Sequence, residues 1–92
     1  MNALLVLPAA LRASAGGNRA LSTAAATVGQ AIDDLAITWP QLERRLRDEQ
    51  GAVRPHIRIY LETDDISDLS GLATPLSEGA RVYIIPAVSG GC

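Results

Sequence analysis

The sequence predicts an α+β fold, a mixed sheet packed on one main helix with a short second helix beside it. Three patterns carry this. From Thr27 to Leu35, apolar residues recur at spacings of three and four, the period of a helix with one buried face. From His56 to Glu62, polar and apolar residues alternate, the period of a strand with one face in the core. Apolar runs at 3–7 and 81–88 bracket the chain, which suits two strands paired in the middle of a sheet.

Taken in order, residues 3–7 form a continuous apolar run beside Pro8 and read as a strand buried on both faces. Residues 13–18 carry turn chemistry, and 19–24 read as a short strand that closes a hairpin with the first. Thr27 is placed to cap the main helix, with Gln30 three residues on to complete a capping box. Val28, Ala31, Ile32 and Leu35 then share one face, while Asp33 and Asp34 fall on the solvated one. Thr38-Trp39-Pro40 ends this helix, and Pro40 suits the first turn of the next. There Leu42 and Leu46 face inward, Glu43 and Arg47 are spaced as an ion pair, Arg44, Arg45 and Arg47 read as a solvated face, and Gly51 is the expected stop. Ile57, Ile59 and Leu61 face the core of the next strand. A turn at 63–65 leads to a short edge strand near Ile66, 71–76 reads as a compact surface loop, and 77–79 turn into the last strand.

With 92 residues the chain is one small domain, expected to span 1–88 with a diglycine tail at 89–92. It has no Phe, one Trp and two Tyr, so the core must be built from Leu, Ile, Val and Ala. A net charge of -2 provides no electrostatic footprint for nucleic acid or an anionic membrane surface, and neither is expected as a partner. All eight basic residues are Arg, which excludes a modifier that builds chains on its own lysines. Cys92 is the only cysteine, so neither an intramolecular disulfide nor a cysteine-based metal site can form, and no metal site is expected. The N-terminal run lacks a basic flank and is too short to be a signal or membrane segment, so a cytoplasmic protein is expected. His56 and the adjacent Asp64 and Asp65 are better explained as strand-start and turn residues than as acid–base groups.

The chemistry is concentrated at the other end. Directly after the strand-like run comes Ser89-Gly90-Gly91-Cys92. Two residues without Cβ make the thinnest and most pliable peptide a protein can present to a narrow enzyme channel. The backbone carboxyl group is therefore the candidate reactive group, which points to a carrier worked on by other enzymes.

The order strand, strand, helix, helical turn, strand, short strand, strand is the β-grasp arrangement. The stretch 54–62, then Asp65-Ile66, Gly71-Leu72-Ala73-Thr74-Pro75-Leu76 and the run from Glu78 to Gly91 resemble the MoaD/ThiS family of ubiquitin-like sulfur carriers. The second helix is similar to the CysO/MoaD branch. The resemblance is most specific where Ile85-Pro86-Ala87-Val88 runs into the diglycine. Two departures stand out: Gly79-Ala80 in place of the usual Gly-Asp, and Cys92 beyond the second glycine.

The resemblance implies that Gly91 is adenylated with ATP by an adenylyltransferase/sulfurtransferase related to ubiquitin-activating enzymes, with Gly90 supplying clearance. The resulting thiocarboxylate would deliver sulfur to a biosynthetic enzyme, for cysteine or a secondary metabolite. The carrier would bind no cofactor itself and would not be an enzyme. The small subunit of molybdopterin synthase and a ubiquitin-like protein modifier are the alternatives. Cys92 locks Gly91 in a peptide bond, and three readings of it compete: a cap removed by a JAMM-type zinc peptidase, a working thiol, or an incidental terminal residue. A working thiol would need a cation or helix N-terminus beside it, and Arg81 lies far back along the strand. Finally, Arg58 and Tyr60 alternate with core-facing residues. With Tyr83 on the same sheet face they would form an amphipathic patch suited to partner binding.

Overall fold

The computed structural model describes residues 2–86. The end of the expected last strand and the tail residues Gly90, Gly91 and Cys92 lie outside the described residues. Five strands, β1 (Ala3–Val6), β2 (Ala20–Thr23), β3 (Ile57–Leu61), β4 (Asp64–Asp65) and β5 (Arg81–Pro86), form one mixed sheet in the order β2-β1-β5-β3-β4. β1 and β5 run parallel at its centre, and every other neighbouring pair is antiparallel. Helices α1 (Ala9–Arg12), α2 (Val28–Thr38) and α3 (Pro40–Leu46) complete the β-grasp order.

α2 forms as its pattern dictates. Thr27 is extended, and its hydroxyl accepts the Gln30 N–H at 3.1 Å. Gln30 reaches back, but its side-chain oxygen accepts from the Ala26 N–H at 3.2 Å rather than from Thr27. Val28, Ala31, Ile32 and Leu35 are buried against the inner sheet residues Leu5, Ile59, Val82 and Ile84. Each such side chain contributes about 1.5–3 kcal/mol on leaving water. Leu42 and Leu46 of α3 close the same core.

The strand at 3–7 departs from its expectation. Ala3, Leu5 and Leu7 are buried, but Leu4 is 39% exposed and Val6 half-buried. β1 is central within the sheet, yet the described helices cover one sheet face only, so a continuous apolar run here does not mean two buried faces. Helix α1 and a 3-10 turn at Ala13–Ala15 occupy a stretch where the sequence shows only turn chemistry. Leu11 and Ala15 tie them to the core, and Gly16 ends them at φ +65° beneath the Trp39 ring.

Three further expectations are corrected. α3 ends at Leu46, and Gly51 instead closes a turn whose N–H groups are gathered by Asp48. The helix stops early because Arg47 turns extended and bridges to Val53. Arg47 is no solvated arginine, since it is held between Asp33 at 2.7 Å and Glu43 at 3.2 Å with its side chain 12% exposed. The loop at 71–76 is more than surface: Thr74 and Leu76 are buried, and the Thr74 carbonyl accepts the Val28 N–H at 3.0 Å, capping the start of α2.

Candidate functional site

β5 lies between β1 and β3, so its direction is set by hydrogen bonds on both edges. Its last described residue, Pro86, stands opposite Ile57, the first residue of β3. The last described residue of the chain therefore stands at the centre of the sheet.

Strand alternation builds a surface next to that exit. Val82 and Ile84 point into the core, which sends Arg81, Tyr83 and Ile85 to the opposite face. On β3 the same rule buries Ile57 and Ile59 and puts Arg58 and Tyr60 outside. The antiparallel register sets Tyr60 opposite Tyr83 and Arg58 opposite Ile85. The Glu62 N–H donates to the Arg81 carbonyl at 2.9 Å, which makes Tyr60 and Tyr83, two steps along, a hydrogen-bonded pair with side chains abreast. Arg58, Tyr60 and Tyr83 thus share one face. The parallel register adds Leu4 beside Arg81 and Val6 beside Tyr83.

The patch is more apolar than the three residues alone convey, because Leu4 (39% exposed) and Ile85 (44%) flank the tyrosines. Sequence reasoning missed both. Leu4 was hidden inside a run that reads as wholly buried. Ile85 could have been found from the alternation that begins at Val82.

At the β4 edge, Asp65 organises the rim. Its carboxylate accepts the Ser67 N–H at 2.9 Å and the Ser67 hydroxyl at 2.8 Å, and Arg58 approaches at 3.4 Å. The Ser67 backbone and hydroxyl bonds, with a lesser part from Arg58, hold this carboxyl below its ordinary value of 3.8, against a partial covering that acts the other way. Arg58 itself stays 59% exposed. His56 is exposed. Asp64 and Asp65 pair with β3 as the short edge strand, a structural part that leaves no constellation for acid–base work. Among the described residues, no group of three or more His, Cys, Asp or Glu is placed to hold a metal ion, and no helix is long and apolar enough to cross a membrane.

This geometry coincides with a match over nearly the whole chain. The model of the ThiS family matches residues 5–91, a span that includes the diglycine. The chain belongs to the ThiS family. Relatives named as sulfur carrier proteins are small ubiquitin-like carriers rather than enzymes, and so is this protein. It is 34% identical over 93 residues to the sulfur carrier protein CysO of Mycobacterium tuberculosis, covering 99% of this chain and 100% of that protein. The crystal structure of that CysO superposes with a TM-score of 0.85 at 32% identity, over 94% of this chain and 99% of that one. The Amycolatopsis orientalis BexX/CysO complex contains a chain that superposes with a TM-score of 0.87 at 29% identity, over 97% and 99% of the two chains. Small archaeal modifier protein 3 of Haloferax volcanii is 36% identical over 66 residues, 72% of this chain and 71% of that protein. The resemblance read from the last strand and the β-grasp order are thereby confirmed.

Proposed function

We propose that this protein carries sulfur as a thiocarboxylate at Gly91, after Cys92 is removed by a JAMM-type zinc peptidase. The observation that carries the reading is the central strand β5, anchored on both edges and leading into Gly90-Gly91 beside an amphipathic face. A carboxylate has no leaving group and resists attack. A carboxylate oxygen attacks the α-phosphorus of ATP, the bond to the β-phosphate breaks, and an acyl-adenylate forms with release of pyrophosphate. Hydrosulfide then attacks the carbonyl carbon, the bond to AMP breaks, and a thiocarboxylic acid remains. The carrier supplies no side chain to these steps; it supplies recognition and an unobstructed approach.

Recognition falls to the outer sheet face. Tyr60, Tyr83, Leu4 and Ile85 offer apolar and aromatic contact, and Arg58 offers a fork of donors at the rim, the composition enriched where proteins dock. An adenylyltransferase of the ubiquitin-activating type would hold the body there while the tail enters its active site, and a sulfur-accepting biosynthetic enzyme would take its place later. That a CysO of the same fold has been crystallised with BexX supports a carrier that docks on a second protein.

Intact mass after incubation with peptidase, activating enzyme, ATP and a sulfide donor tests this. Loss of one cysteine residue, followed by exchange of one carboxyl oxygen for sulfur, is expected. A Gly91→Ala variant that delivers sulfur as well as the parent would end the reading. The likeness to a small archaeal modifier protein favours a second reading, attachment to lysines of other proteins. It would show as an isopeptide-linked adduct in the same mass analysis.

A further inference from the structure

We infer that the free edge of β2, with the groove it forms against α2, is a docking site for an extended strand of a partner protein that carries a basic side chain among apolar ones. The Leu7 N–H donates to the Arg19 carbonyl at 2.8 Å, which fixes the phase of the β1–β2 ladder. Stepping by two, Leu5 with Leu21 and Ala3 with Thr23 are the hydrogen-bonded pairs. Ala20 and Ser22 between them therefore turn their N–H and C=O groups away from β1, to the outer edge of the sheet. No turn, loop or cap hydrogen bond among the described residues uses those four groups. They form the template that an added strand requires.

Beneath this edge lies a groove of about 220 Å³ walled by Leu21, Ala31, Leu35 and Trp39. Its only charged lining residue is Asp34. Asp33 holds Arg47, but Asp34 takes part in none of the ion pairs among the described residues. A strand added to β2 would drop every second side chain into the groove. An apolar residue fits against Leu21 and Trp39, and a Lys or Arg two places along reaches Asp34. β1 separates β2 from β5, about 10 Å at two strand spacings. A peptide on this edge therefore leaves the outer face and the exit of the last strand uncovered, so a carrier held here can still be worked on at its tail.

The full chain, labelled with nitrogen-15, should be titrated with an acetylated eight-residue peptide that alternates valine and threonine, with one inward valine replaced by lysine. The control peptide carries glutamate in place of that lysine. The expected result is shifted amides at 20–23, slowed solvent exchange of the Ala20 and Ser22 amides, and altered emission from Trp39, the single tryptophan. The glutamate peptide should bind at least about tenfold more weakly. Ser22→Pro deletes an outward N–H without touching the β1 ladder, and should weaken binding about tenfold while the far-ultraviolet spectrum stays unchanged. Asp34→Lys should reverse the preference between the two peptides. Equal binding of both peptides, undiminished binding by Ser22→Pro, or shifts centred on 53–72 or on the outer face would overturn the assignment. So would the absence of any shift up to millimolar peptide. If the 20–23 amides shift with protein concentration alone, a second copy occupies the edge and the proposal fails.

Discussion

A Cβ added to Gly29 would stand 2.9 Å from the backbone oxygen of Leu72 and 3.2 Å from its Cβ. Helix propensity alone favours alanine over glycine by about 0.5–1 kcal/mol. A carbonyl oxygen held in a 3-10 turn cannot swing aside as a flexible side chain would, so the clash outweighs propensity. Gly29→Ala is expected to destabilise the fold by about 1–2 kcal/mol, read as a lower midpoint in urea with an unchanged slope. Asp65 makes a second prediction at this scale. Its folded value lies below the ordinary 3.8. The stability it contributes is therefore fully present above the unfolded value and is lost as pH falls through the folded one. Asp65→Asn should lower the thermal midpoint at neutral pH, and the gap to the parent should narrow as pH falls below the ordinary 3.8. A gap that stays constant into acid would show that the Ser67 bonds do not depend on the charge.

At the scale of elements, α2 has both a local and a distant start. Thr27 caps it through Gln30, and the Thr74 carbonyl, from a loop more than forty residues later, takes the Val28 N–H. Thr27→Ala is expected to cost about 1 kcal/mol and Thr27→Ser a few tenths at most, checked by denaturant unfolding. The local half of this start was legible from Thr27 and Gln30. The distant half was not, because nothing near residue 74 declares which helix its carbonyl will meet. α3 shows the same division. Leu42 and Leu46 announced their inward face and Glu43 its pairing with Arg47, yet the Asp33 contact joins two helices whose separate patterns both read as solvated.

For the whole molecule, the decisive feature is that helices cover one sheet face and leave the other to solvent among the described residues. Ile85 lies on that uncovered face beside Arg58. Ile85→Asp should leave folding stability within about 0.5 kcal/mol, as for other exposed positions. It should raise the KM of the activating enzyme for the carrier at least about tenfold with kcat little changed, which steady-state adenylation measures. A variant with unaltered KM would place docking elsewhere.

The β-grasp succession of strands around the main helix, the helix period, the cap and the diglycine are properties of neighbours in the chain, and the sequence determined them by itself, whereas α1 did not show in it. Which face of β1 meets water, where Arg47 finds its second carboxylate, and that Leu4, Tyr60, Tyr83 and Ile85 lie abreast were decided only by the tertiary structure. The reason is physical: local periodicity says that a strand has an inside, but parallel pairing of residues nearly eighty positions apart settles which side chains become neighbours on its outside.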